Sequence, residues 1–167
     1  MQNTIAQYLA QVGANSDRAA LAPVLQVIAA EHNTQALTSA GLVIKAGTSV
    51  LAKTGASAFY AIVGGRLLTI AASTDMPALT GLNISANAFN VACFFVNAAG
   101  TVSVRFGTEG SALGRVKFPD FRSDQALVGF LIITHSSAFT GNTTALDTAT
   151  TVYVSPLGAI DPTLLFA

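Results

Sequence analysis

A chain of 167 residues with 8 basic and 8 acidic side chains is long enough for one domain with a sizeable core and carries no net charge at pH 7. Charged residues make up 10% and hydrophobic residues 51%, which excludes an intrinsically disordered chain. With the cations spread out and no basic run, phosphate-dominated nucleic-acid binding is excluded as well.

So apolar a chain calls for cover. Either an oligomer or a docked partner shields its surface, or a large core lies under a neutral, Ser- and Thr-rich exterior. Cys93 is the single cysteine, inside the apolar run VACFFV, and reads as a small core hydrophobe. Internal disulfides are therefore impossible. The start MQNTIAQYLA lacks a basic stretch followed by an apolar one, so no signal peptide is expected. No strictly apolar run approaches the ~18 residues needed to span a bilayer, so no membrane partner is expected.

Residues 3–12 carry Ile5, Tyr8, Leu9 and Val12 on one helical face. Residues 13–15 break that helix. Ser16 is a suitable N-cap for the next, and Asp17 suits its positive end. The same spacing recurs at Leu21, Val24, Leu25 and Ile28, with Pro23 kinking the helix or shifting its start. It ends near His32-Asn33, and residues 33–41 read as a small-residue linker. The expected division is an N-terminal helical arm, residues 1–40, followed by a β-domain, residues 41–167.

From Leu42 onward, Gly, Thr, Ser and Asn punctuate short apolar runs, the pattern of an antiparallel β-sandwich or barrel, jelly-roll-like in type. Strands are predicted at 42–45, 49–53, 58–63, 66–72, 88–97, 101–106, 114–118, 126–134 and 150–154. Gly64-Gly65 marks a two-residue hairpin, and Asn97 to Gly100 a type I turn. Val102, Val104 and Phe106 alternate with Thr101, Ser103 and Arg105, as in a half-buried strand.

Two strands are apolar on both faces. Phe89, Val91, Cys93 and Phe95 oppose Phe94 and Val96; Phe130 and Ile132 oppose Leu131 and Ile133. Such strands are either central in a core or covered by another subunit. In a domain this small the second option is favoured. The interface residues expected on that basis are Phe94, Val96, Leu131 and Ile133, with Phe139 in the following loop. Ile5, Leu9, Leu21 and Leu25 join them from the arm. Leu165 and Phe166 join them from the apolar tail, which is expected to tuck back onto the domain or a neighbour.

No reaction centre is legible. His32 and His135 have no Cys, His or paired carboxylate at ligand spacing, so no metal is expected. His135, Ser136 and Asp147 could be imagined as a triad, yet no nucleophile turn accompanies them. The acids sit in turns and caps, and the chain has no tryptophan to stack on a sugar. Gly64-Gly65 and residues 107–114 do not fit a phosphate loop. No enzyme and no cofactor are expected. The Thr/Gly/Asn stretch 140–151 can satisfy its own backbone, as a loop at an assembly interface, at a tip, or in a passive connection.

Four segments carry a resemblance: GGRLLTIAASTDMPALTGLNI, VNAAGTVSVRFGTEG, LVGFLIITHSSAFTGNTTALD and TVYVSPLGAIDPTLL. Together they resemble small virion structural proteins of tailed bacteriophages, over roughly residues 64–165. The N-terminal helices are not covered. The resemblance implies a capsid decoration (cement) protein, a homotrimer on the outer capsid surface that bridges capsomers of the major capsid protein. The alternative it leaves is a fibre or tail protein contacting the host surface, with residues 136–150 as its recognition tip. It implies no catalytic residue.

Overall fold

The computed structural model describes residues 33–158. The two expected helices, with Ile5, Leu9, Leu21 and Leu25, lie outside the described residues, as do Leu165 and Phe166 of the tail.

The described chain is mainly β. Its strands are β1 (Gln35–Ala36), β2 (Val43–Ile44), β3 (Ala52–Lys53), β4 (Phe59–Val63), β5 (Arg66–Ile70), β6 (Asn83–Ile84), β7 (Phe89–Asn97), β8 (Val102–Phe106), β9 (Gln125–Thr134), β10 (Phe139–Thr140) and β11 (Thr150–Val154). They form a four-stranded sheet in the order β11-β9-β7-β8, a three-stranded sheet β1-β4-β5, and the pairs β10-β6 and β2-β3. All pairings are antiparallel, and none of these sheets closes on itself. Both predicted hairpins are present. Gly64 and Gly65 take φ of +59° and +77° between β4 and β5, and Gly100 N–H donates to Asn97 O at 2.9 Å between β7 and β8.

The structure adds the unpredicted short strands β6 and β10 and overturns two predicted segments. Residues 33–41 are not a linker: β1 pairs with β4, and Ala36 and Ala40 are buried, so the sheet begins before the expected boundary. Residues 114–118 are not a strand. Leu113–Arg115 form a short 3-10 turn, and only an isolated bridge joins Thr108 to Lys117. Gly110, Gly114 and Pro119 leave too few consecutive pairing residues for a ladder.

The four-stranded sheet is the middle layer. One face packs Phe94, Val96, Leu131 and Ile133 against Phe59, Ala61, Val63 and Leu68 of the three-stranded sheet, a sandwich-like arrangement. The other face carries Val91, Cys93, Phe95 and Phe130, covered by Val116, Phe118 and Phe121 from the segment after β8. The two-sided strands therefore have both faces covered by their own chain.

A bulge makes the second strand consistent. Phe94 opposes Gly129 and Phe95 opposes Leu127, so Val128 is the extra residue. Ala126 and Val128 before the shift share a face with Leu131 and Ile133 after it. Gly129 is required there, because a Cβ would come within 2.5 Å of Val154 O and 2.6 Å of a Leu42 methyl.

Past β11 the chain changes sheets. Leu42 N–H donates to Ser155 Oγ at 2.9 Å, and Gly158 N–H donates to Ala36 O at 2.9 Å. This corner joins the end of β11 to β1. Among the described residues, β11, β8 and β5 each have a strand on one edge only.

Candidate interaction surface

The loop after β9 is built inward. Phe139 and Leu146 are each 1% exposed. β10 pairs with β6, and Gly141 N–H donates to Leu82 O at 2.7 Å. Thr140 N–H donates to Thr144 Oγ1 at 3.1 Å, while Thr144 N–H returns to Thr140 O at 2.8 Å. Leu146 N–H reaches Ser49 O at 2.9 Å, and Asp147 Oδ2 accepts from Thr48 N–H at 2.7 Å. Side-chain oxygens thus cap the loop's own backbone and tie it to the turn before β3.

The imagined triad does not assemble. His135 Nδ1 lies 3.1 Å from Ser137 N, and its carbonyl accepts from Asn87 N–H at 2.8 Å. Asp147 is engaged with Thr48. Two further acids hold local structure: Glu109 Oε2 accepts from Ser85 N–H at 2.7 Å, and Asp75 pairs with Lys45 at 2.5 Å. Among the described residues, no group of three or more His, Cys, Asp or Glu could hold a metal ion.

Arg105 was the residue least visible in the sequence. It reads there as the polar face of a half-buried strand. Its guanidinium stacks over the Phe95 ring at 4.0 Å, Nη1 donates to Asp120 O at 2.5 Å, and Nη2 donates to Gln125 Oε1. Phe121 packs edge-on against Phe95 at 5.3 Å, and Phe118 against Phe130 at 5.1 Å. Stack and hydrogen bonds together latch the covering segment onto the sheet.

Beneath that latch, burial pushes the Cys93 thiol well above its ordinary value, outweighing the opposing pull of Arg105. The folded chain therefore keeps its thiol proton where the unfolded chain releases it. The unfolded state then binds fewer protons, so stability falls with rising pH. The expected contribution is a loss of up to about 1.4 kcal/mol per pH unit above about pH 9. Denaturant titrations at pH 8 to 10.5 check it. Cys93→Ala should show a shallower slope; an identical slope would refute the assignment.

The expected interface residues divide. Phe94, Val96, Leu131 and Ile133 are 0% exposed and Phe139 is 1% exposed, all within this chain alone. This burial places them in the chain's own core, which corrects the expectation: the three-stranded sheet, β6 and the stretch 76–82 supply the cover that another subunit was expected to give.

The exposed apolar residues lie elsewhere. On β4, Phe59, Ala61 and Val63 point inward while Tyr60 and Ile62 point outward. Leu67 on β5 stands opposite Ile62 and is 61% exposed. Leu37 follows β1, gives its N–H to Tyr60 O at 2.9 Å, and is 42% exposed. Leu37, Tyr60 and Leu67, with the half-buried Ile62, thus make an apolar patch on the outer face of the three-stranded sheet, while Val43, Leu113, Val152 and Leu157 are exposed on other segments. A signal existed in the sequence: FYAIV and RLLTI are apolar at both parities.

Compared with family models, curated proteins and solved structures, the chain matches none. A functional reading rests on the patch, the fold and the motifs of the chain itself.

Proposed function

We propose that this chain is a virion structural protein of the decoration (cement) type, binding the outer surface of a tailed-phage capsid and stabilising the head by bridging capsomers. The observation that carries the reading is the outward apolar patch of Leu37, Tyr60, Ile62 and Leu67 on a chain with few charges. The finer architecture belongs to the same proposal: a jelly-roll-like sandwich preceded by a helical arm.

The mechanism is adhesive. Gly158 bridges to Ala36 of β1, at the edge of the patch-bearing sheet. In this reading Ile5, Leu9, Leu21, Leu25, Leu165 and Phe166 are further contact residues toward the major capsid protein. About 1,600 Å² of buried surface suffices for a stable bond. Few charges need desolvating, which lowers the cost of closing it. For self-association the resemblance implies a trimer. The inward residues of 136–150 support its reading as a structural link over a recognition tip.

The test is copy number in purified particles. Quantified against the major capsid protein, a decoration protein is expected at on the order of hundreds of copies, following capsid symmetry. A count in the low tens would overturn the reading in favour of a fibre or tail protein. Leu67→Asp should then cut capsid binding at least about tenfold while leaving the fold intact, because a buried apolar contact cannot accommodate an unpaired carboxylate.

A further inference from the structure

We propose that β8 is a self-pairing edge, adding antiparallel to β8 of a second copy about a two-fold axis at Val104. The argument starts from which backbone groups β8 leaves unused. Asn97 N–H donates to Thr101 O at 3.1 Å and Gly107 N–H to Val91 O at 2.9 Å. With Cys93 opposite Arg105 and Phe95 opposite Ser103, the odd-numbered residues of β8 are the ones bonded to β7. The N–H and C=O groups of Val102, Val104 and Phe106 therefore point away from β7. Among the described residues no other strand meets them.

This edge is self-complementary. Placing Val104 opposite its own copy puts Val102 opposite Phe106, and Ser103 opposite Arg105. All three outward-pointing residues then fall into hydrogen-bonded pairs, giving about six N–H···O bonds across the axis. β-branched and aromatic side chains face each other on the core side, a favourable cross-strand combination. Val102, Val104 and Phe106 are only half-buried where they pack against the core, so a neighbouring strand would complete their cover.

The edge also lacks the usual protection against pairing. Exposed edges are ordinarily blocked by proline, lysine, a bulge or an inward charge. β8 reads Val-Ser-Val-Arg-Phe, and its one charge is folded back onto Phe95, Asp120 and Gln125. β11 and β5 are likewise bonded to a strand on one side only. Just past its end, β11 is tied to Leu42 and Ala36, and β5 offers less than β8. Its two-residue turn makes Val63 and Arg66 a bonded pair, so only Leu67 and Thr69 present backbone groups outward.

The proposal puts a two-fold dimer in place of the trimer that the resemblance implies and does not otherwise rest on the capsid reading, and the test separates them because it uses the full-length protein alone. Sedimentation at micromolar concentration should give a dimer for the native chain and for Val104→Ala. Val104→Pro removes the outward N–H without touching the β7 ladder, which edge positions tolerate. It should give a monomer in which the Ser103 and Arg105 amides stay protected from exchange. Val104→Cys, with Cys93 buried, serves if the proline variant fails to fold. A short bismaleimide should link it into dimers at least about tenfold more than Ser111→Cys, reflecting its high local concentration. A native monomer, a native trimer, a dimeric Val104→Pro, or equal linking of the two cysteine variants would each overturn the proposal.

Discussion

Gly141→Ala is expected to lower the stability of the β-domain by about 3 kcal/mol or more, a loss of roughly 6–12 °C in Tm. The added methyl would stand 1.9 Å from Leu79 O and 3.0 Å from the Leu79 Cβ. The obstacle is backbone, so no rotamer change relieves it. The only escape moves the Gly141 N–H off Leu82 O, a bond of 2.7 Å. It also drags Phe139 and Leu146, both buried, out of their sites. Gly141 has no left-handed φ, so the effect is one of space and not of backbone conformation. Thermal or denaturant unfolding of the variant measures it. A cost below about 1 kcal/mol would mean that the loop can shift as a body, and that its hydrogen bonds do not fix it.

Phe94→Ala is expected to cost about 3–5 kcal/mol. Phe94 is 0% exposed at the centre of β7, with Val104 on one side and Gly129 on the other. The truncation would leave a cavity between the two sheets. Lining residues come from β4, β7 and β9, which are held by long ladders and cannot collapse into it. The expected loss is independent of protein concentration. If Phe94 instead met a second subunit, Tm would move with concentration by mass action. Unfolding curves over a hundredfold dilution, run with and without Phe94→Ala in the Val104→Pro background that lacks the β8 contact, distinguish the two, and a gap between them that changes with concentration would restore the interface reading.

These two residues show how legibility differs along the chain. The two-sided pattern of residues 89–96 and 126–133 was plain in the sequence, and it correctly marked both strands as covered on each face. What covers them was not plain. Val116, Phe118 and Phe121 lie in a stretch rich in glycine and charge, where the sequence suggested a strand at 114–118 that does not form. Their role depends on Arg105 folding over Phe95, a contact between side chains that alternation places on a solvent face. β1, β6 and β10 were missed for a related reason. Each has two residues, too short for any periodicity, and each exists because a longer strand or a neighbouring loop fixes it.

The candidate surface follows the same division. Tyr60, Ile62 and Leu67 sit in strands that the sequence located, yet their exposure depends on which side of the three-stranded sheet meets the core. Period-2 alternation assigns residues to two faces and cannot say which face is outside when both are apolar. The sequence by itself determined a mainly β chain, two hairpins, the long strands and a loop that satisfies its own backbone, because turn chemistry and alternation act over a few neighbouring residues. Only the tertiary structure decided that Phe94, Val96, Leu131, Ile133 and Phe139 are core and that the outer face of the β1-β4-β5 sheet is open. Layer order is a contest between distant segments for the same apolar face, and local spacing carries no record of which one wins.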